Sequence, residues 1–143
     1  MPVTFDGTDG VASLPFRGLD KSFLFKTRVT VPVTAVSTDI IQCVNIPAGM
    51  LVKGIGMLMV TAATATTLTC TVGDGAGAAS WDASTLDLKS AAGTWTMSTP
   101  SDTYPALGGK YYSAADTIDI TVTVNTLTVG AVFDLYVEGI NID

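Results

Sequence analysis

The sequence contains no histidine, which removes the commonest general base, the commonest metal ligand and the usual pH switch near neutrality. Basic residues are also scarce, since seven Lys and Arg stand against 13 Asp and Glu, for a net charge of -6. A protein that binds nucleic acid normally carries a basic patch that neutralises phosphates. We therefore expect neither an enzyme nor a nucleic-acid-binding protein, and no residue set specifies a catalytic, metal or cofactor site.

The sequence has few charged residues of either sign. Charged residues make up 14% of the chain and hydrophobic residues 48%, whereas about 25% of an average soluble domain is charged. With so few charges to face water, much of the exterior is expected either to consist of Thr, Ser, Ala and Gly or to be covered by other copies or by a partner. A homo-oligomer is one of the partners that we expect.

Cysteine is limited to Cys43 and Cys70, both within predicted strands. Two cysteines do not make the disulfide framework of a small secreted protein, and buried free thiols are common. Free thiols are the favoured interpretation, and a single disulfide is the alternative. The N-terminus has neither the basic start nor the apolar segment of a signal peptide.

The clearest secondary-structure signal is the stretch Asp116–Val124, D-T-I-D-I-T-V-T-V. Apolar β-branched residues alternate with Thr and Asp at a period of two, which is typical of a half-buried strand. The same pattern recurs elsewhere, so this strand is predicted to be central to an antiparallel sheet.

Similar alternation predicts four further main strands: Phe23–Val33, Ser37–Asn45, Ala65–Val72 and Ala131–Asp143. Met50–Val60, which is apolar on both faces, is predicted as a fifth. The uncharged stretch Gly54–Gly73 has the length of a membrane span, but its second half alternates with Thr, so a hairpin turning near Ala62–Ala65 is preferred and no membrane is expected. No segment has a sustained helical period. About eight strands joined by Gly, Pro, Asp and Asn turns predict an all-β antiparallel sandwich or jelly roll.

The predicted organisation is an extended N-terminal arm over residues 1–22, then a β-sandwich over residues 23–143 with an irregular insertion at 78–101. The arm lacks a sustained period but carries Phe5, Leu14 and Phe16. These side chains are costly to leave in water, so the arm is expected either to dock on a neighbouring subunit or a partner, or to be a frayed terminus.

Aromatic residues suggest where contacts could lie. Trp81, Trp95 and Tyr104, with the neighbouring Tyr111 and Tyr112, could form a platform for a sugar. Because aromatics are enriched in cores and interfaces, we favour those roles. The candidate interface residues are Phe5, Leu14, Phe16, Trp81, Trp95 and Tyr104.

Three polar patterns could suggest a ligand site but do not specify one. Gly73–Gly77 lacks the lysine and helix of a phosphate loop and the alternating oxygen ligands of a calcium loop, so it is interpreted as a turn. Asp116 and Asp119 lie three apart on one strand and point to opposite faces. Asp82 and Asp87 form a weak carboxylate pair, which we interpret as solvated.

Three stretches carry a family resemblance: Asn45–Val52 with its Ile-Pro-Ala-Gly turn, Leu68–Gly75 with its Val-Gly-Asp-Gly turn, and Gly108–Ile118 with Ala-Ala-Asp-Thr-Ile. Together they resemble small virion proteins of tailed bacteriophages, in particular capsid decoration or cement proteins. The resemblance covers roughly Asn45 to Glu138.

The resemblance implies a β-sandwich or jelly-roll subunit, often trimeric, that sits on the outer head surface, contacts the major capsid protein and bridges capsomers without a cofactor. Such a protein would be made in the host cytoplasm and located in the virion. The alternative is a carbohydrate- or receptor-binding sandwich module of a phage fibre or a cell-surface protein. An exposed coplanar tryptophan pair would favour that alternative.

Overall fold

The computed structural model describes residues 4–6, 12–13, 21–32, 34–98 and 102–142. In chain order the elements are β1 (Thr4–Asp6), β2 (Ala12–Ser13), β3 (Lys21–Thr30), β4 (Ile40–Ile46), β5 (Met50–Thr61), β6 (Thr64–Asp74), β7 (Gly77–Asp87), β8 (Trp95–Met97), α1 (Thr103–Ala106), β9 (Lys110–Tyr112), β10 (Asp116–Val129) and β11 (Val132–Asn141). The predicted all-β sandwich is confirmed.

The strands form two layers. In the first layer, the β10 sheet, the strand order is β1-β4-β10-β6-β7, and β2 also pairs with β4. In the second layer, the β11 sheet, the order is β3-β11-β5-β8, and β9 also pairs with β5. Buried apolar side chains from both sheets form one core cluster between the layers.

β10 occupies the centre of its sheet, between β4 and β6, as its sequence predicted. Ile118, Ile120 and Val122 are fully buried, whereas Thr121 and Thr123 on the other face are half-buried. β11 shows the same agreement. Its inward residues are buried, and a register shift between Glu138 and Gly139 marks a bulge in the pairing with β5.

The predicted hairpin at Ala62–Ala65 is wrong. The two strands exist, but β5 pairs with β11 in one sheet and β6 pairs with β10 in the other. The connection passes from one layer to the other at Ala63, which is buried. Period-two alternation looks the same for strands that pair and for strands that pack face to face. Across the part of the chain that the structure describes, no helix is long and apolar enough to cross a membrane.

The region expected to be irregular, residues 78–101, instead begins within β7, a strand whose pairing with β6 is interrupted by register shifts. β7 pairs antiparallel with β6, with register shifts between Cys70 and Val72 and between Val72 and Asp74. These irregularities put the consecutive residues Trp81 and Asp82 both in buried positions. The period of two that would have predicted the strand is therefore interrupted.

The described parts of the N-terminal arm run parallel to β4. Thr4–Asp6 pairs with Ile40–Gln42, and Ala12–Ser13 pairs with Val44–Asn45. These are parallel pairs in sheets that are otherwise antiparallel. Leu14, Phe16 and the side chain of Phe5 lie outside the described residues, so docking of the arm on a neighbouring subunit stays a prediction.

Candidate interaction surface

A cluster of polar and aromatic side chains closes one end of the sandwich; we call it the Asp74 cluster, and its members are Asp74, Trp81, Tyr104, Lys110 and Tyr112. Asp74 ends β6, and its Oδ2 accepts hydrogen bonds from Lys110 Nζ at 2.6 Å and Tyr112 Oη at 2.8 Å. Its Oδ1 accepts from Tyr104 Oη at 3.2 Å. Trp81 Nε1 donates to Tyr112 Oη at 3.0 Å.

The aromatic rings surround the ammonium group. Lys110 Nζ lies 4.7 Å from the ring centre of Tyr104 and 4.6 Å from that of Tyr112. Trp81 and Tyr104 pack edge to face, with ring centres 5.2 Å apart. Both arrangements are favourable, because the ring faces carry partial negative charge.

The electrostatics of the cluster favour the ionised pair. Burial by itself would raise the pKa of Asp74, but hydrogen bonds from Lys110, Tyr112 and the Ala76 N–H together hold that pKa below its ordinary value. Burial acts against the charge on Lys110 as well, and Asp74 outweighs it, so the pKa of Lys110 is raised. At neutral pH the cluster therefore holds an ammonium group paired with a carboxylate.

The glycine-rich segment Gly73–Gly77 is confirmed as a turn. Asp74 Oδ1 accepts hydrogen bonds from the backbone N–H groups of Ala76 and Gly77, and so caps the reversal from β6 into β7. Sequence reasoning left Asp74 without a partner, because Lys110 lies 36 residues away. No local spacing signals such a pair.

A different surface lies on the outer face of the β11 sheet. The register sets Tyr136 of β11 beside Gly56 of β5 and Lys26 of β3, and sets Glu138 beside Gly54 and Leu24. On the far side of β5, Met97 of β8 is paired with Gly56. The side chains on this face therefore surround two positions that have no side chain.

Those two glycines form the floor of an open groove of about 260 Å³, which we call the Trp95 groove. Trp95 and Met97 form one wall, and Leu24, Tyr136 and Glu138 form the other. The Trp95 ring contacts the backbone of Gly56 so closely that a Cβ there would collide with it. Trp95 also packs edge to face on Tyr136, with ring centres 5.3 Å apart.

The charges on this face are distributed unevenly. Asp134 accepts hydrogen bonds from Arg28 Nε at 2.8 Å and Arg28 Nη2 at 3.1 Å, and from Lys26 Nζ at 3.4 Å. The hydrogen bond from Arg28 is the main reason why the pKa of Asp134 is lowered. Within the described residues, no cation is within ion-pair distance of Glu138.

The candidate interface residues fall into three groups: those of the Asp74 cluster, Trp95 at the groove, and those of the N-terminal arm. Trp81 is fully buried in the Asp74 cluster, so it serves the core and its ring has no surface to offer a partner. Tyr104 is half-buried beside it. Trp95 is 47% exposed at the groove. Phe5, Leu14 and Phe16 cannot be placed, because their side chains lie outside the described residues.

Two further features of the β10 sheet are buried titratable side chains. Cys43 and Cys70 are free, and burial raises the pKa of Cys70 to about 12, which keeps the thiol protonated. Asp119 is buried on β10, and burial raises its pKa to about 6. Among the described residues, no group of three or more Cys, Asp or Glu side chains could hold a metal ion.

No protein-family model matches the sequence, and no curated protein matches it significantly. Solved structures do match. A chain in the capsid of Ralstonia phage GP4 superposes with a TM-score of 0.72 at 14% identity, over 99% of this chain and 98% of that one.

Two other capsids contain similar chains. A chain of the cyanophage Pam1 capsid gives a TM-score of 0.64 at 21% identity, over 98% of this chain and 99% of that one. A chain in the acid-stable capsid of Helicobacter pylori bacteriophage KHP30 gives 0.54 at 17% identity, over 86% and 90%. The chain therefore has the fold of proteins present in three phage capsids.

Proposed function

We propose that this protein is a structural subunit of a phage virion, and specifically a decoration or cement subunit that binds the outer surface of the head and bridges capsomers. The observation that carries the proposal is the fold likeness to a chain of the Ralstonia phage GP4 capsid, over 99% of this chain and 98% of that one. A match over both full lengths relates the whole sandwich and not a single shared motif.

The side chains support a binding role without catalysis. The most concentrated group of titratable residues, the Asp74 cluster, is paired internally and keeps both charges. Exposed apolar side chains on the outer face of the β11 sheet are instead suited to contact with another protein. The partners in this proposal are the major capsid protein and two further copies of the chain.

The proposed mechanism is mass action. A subunit that binds the assembled shell, and not its separated parts, stabilises the shell by a free energy that grows with its concentration relative to Kd. At a free concentration of about 100 Kd the gain is about 2.7 kcal/mol for each site. Summed over many sites, this would hold a head closed against internal pressure.

A coplanar pair of exposed tryptophans would favour the carbohydrate-binding alternative, and the two tryptophans differ in solvent exposure. Trp81 is fully buried and Trp95 is exposed, so they do not form a coplanar platform. The Trp95 groove offers a sugar one carboxylate and one phenol on otherwise apolar walls. A glycan buried there would leave most of its hydroxyl groups without partners, which is unfavourable.

The test is to add the purified protein to heads that lack it. We expect it to sediment with the heads and to raise the temperature at which they release DNA, measured with a dye that fluoresces on DNA. Bovine serum albumin at the same concentration serves as the control. If the protein stays in the supernatant and the release temperature does not change, the decoration role is wrong; saturable binding to a glycan array would then support the alternative.

A further inference from the structure

The Trp95 groove is lined by several exposed apolar side chains that stand over two glycines of β5. Among the described residues, seven large apolar side chains are exposed, and three of them, Leu24, Trp95 and Met97, line this groove. Leu24 is 70% exposed. An apolar group that enters the groove would remove these surfaces from water, which favours binding.

A bulge in β5 creates the floor. Glu138 is paired with Gly54 and Gly139 with Val52, so Lys53 is the extra residue between them. After the bulge, Ile55, Met57 and Met59 face the core, and Gly54 and Gly56 face outwards. A Cβ at Gly56 would collide with the Trp95 ring, and one at Gly54 would meet the Glu138 carboxylate, so the two glycines let these side chains lie close to the sheet.

The size of the groove limits what can occupy it. Its volume of about 260 Å³ is below the roughly 300–1,000 Å³ of pockets that take drug-sized ligands. One or two side chains of an extended segment fit such a space, whereas a whole helix does not. The groove is therefore suited to an anchor residue of a larger interface.

The negative charge of Glu138 at the edge of the groove favours apolar occupants that also carry a basic group. Asp134 is already paired with both Lys26 and Arg28, so those cations are partly neutralised. Glu138 stands at the opposite end of the face and, within the described part of the chain, has no cation within ion-pair distance. A basic group of an occupant would complement it.

Building on the decoration role proposed above, we propose that the Trp95 groove receives a segment of the major capsid protein in which an apolar side chain lies within two residues of a Lys or Arg. The apolar side chain packs between Trp95 and Met97 on one wall and Leu24 on the other. The basic side chain pairs with Glu138. The groove is thus an anchor point with defined partner chemistry.

The chemistry of the groove can be tested without heads. The probes are the dipeptide amides Ac-Leu-Arg-NH₂, Ac-Leu-Glu-NH₂ and Ac-Ser-Arg-NH₂, added to the ¹⁵N-labelled protein and followed by NMR at the Gly54 and Gly56 amides and the Trp95 indole. We expect Ac-Leu-Arg-NH₂ to shift these signals and to bind about fivefold more tightly than Ac-Leu-Glu-NH₂, as an exposed ion pair allows. Ac-Ser-Arg-NH₂ should bind more weakly still.

Two variants separate the two parts of the groove. Glu138→Gln should bring the affinities for Ac-Leu-Arg-NH₂ and Ac-Leu-Glu-NH₂ close together, and Trp95→Ser should weaken both. Asp87→Asn changes the net charge equally on an exposed residue of β7, and Leu107→Ser removes an exposed leucine away from the groove; both should behave as wild type. Equal affinities in the wild type, no shift near the solubility limit of Ac-Leu-Arg-NH₂, or shifts with maltose alone would overturn the proposal.

Head binding then distinguishes the two proposals. If the decoration role and the groove assignment are both right, Trp95→Ser and Glu138→Lys should reduce sedimentation with heads at least fivefold, and Leu107→Ser should not. Wild-type binding by all variants would remove the groove from the interface and leave the decoration role standing. If the wild type does not bind heads, the decoration role fails, and the dipeptide titration still decides whether the groove has the proposed chemistry.

Discussion

Asp119 combines burial with incomplete hydrogen bonding. Its side chain projects from the face of β10 opposite to Ile118 and Ile120. Its Oδ1 has no hydrogen-bond partner among the described residues. Burial raises its pKa from 3.8 to about 6; a hydrogen bond with Thr117 opposes the shift, while Asp116 and Asp74 add to it. The ionised form is therefore unfavourable in the folded state.

Replacement of this carboxyl should make the protein more stable at neutral pH. Because the folded pKa lies above the unfolded one, the folded state binds the proton more tightly, so the wild type loses stability as pH rises from about 4 through about 6. Asp119→Asn does not ionise. We expect its Tm to exceed that of the wild type by a few degrees at about pH 8 and to converge with it at about pH 4.

Differential scanning calorimetry across that pH range measures the difference. Asp87→Asn, on an exposed side chain, is the matched control and should stay within about 0.5 kcal/mol of the wild type at every pH. A stability gain for Asp119→Asn that is the same at low and high pH would contradict the assignment.

At the scale of elements, the Asp74 cluster links the two sheets. Asp74 belongs to β6 in the β10 sheet, and Lys110 and Tyr112 belong to β9, which pairs with β5 in the β11 sheet. The side chain of Asp74 is completely buried and that of Lys110 is 21% exposed. The pair is thus shielded from water, and removal of one partner leaves the other charge unpaired.

Lys110→Met should destabilise the protein by about 3–5 kcal/mol at neutral pH, because it leaves a buried carboxylate without its cation. The lowered pKa of Asp74 contributes stability above its unfolded value of 3.8 that is lost as pH falls through the folded value. The difference in the free energy of unfolding between Lys110→Met and the wild type should therefore become smaller below about pH 4.

Urea unfolding at several pH values tests this, with the exposed Lys53→Met as control, expected within about 0.5 kcal/mol of wild type. Hydrogen exchange adds a local readout. In Lys110→Met, amides of β9 and of the β6–β7 turn should lose protection before those of β10. A uniform loss across all strands would mean that the cluster does not join the sheets locally.

The elements also show what the sequence could predict. β10 was predicted because its β-branched residues alternate with polar residues over a long stretch. β11 was predicted because apolar residues alternate with polar residues and a tyrosine from Phe133 to Glu138. The partner of a strand is not encoded locally, so β5 and β6 were wrongly paired. β7 was missed since bulges interrupt its period.

At the scale of the whole molecule, the low charge and the apolar outer face of the β11 sheet predict association. We expect light scattering of the purified protein in dilute buffer to give three times the 14.7 kDa chain mass. Deletion of residues 1–22 tests whether the arm contributes, with the intact chain as reference. A monomer at all concentrations would contradict the trimer and leave the low charge without this explanation.

The candidate surface was predictable only in part. Trp95 was named from its aromatic character, but nothing in the sequence distinguished it from Trp81, which is buried. A glycine within a strand can indicate a close approach to the backbone, and at Gly56 the Trp95 ring makes that approach. Glu138 and Leu24 were missed because strands distant in sequence bring them to the groove.

The different surroundings of the two indoles make the protein its own optical reporter. Trp81 is fully buried and donates to Tyr112, so its emission should be blue-shifted and protected from iodide. Trp95 is exposed and should be quenched readily. Occupation of the groove can thus be followed as a loss of the quenchable fraction, and unfolding as its doubling, with no attached dye.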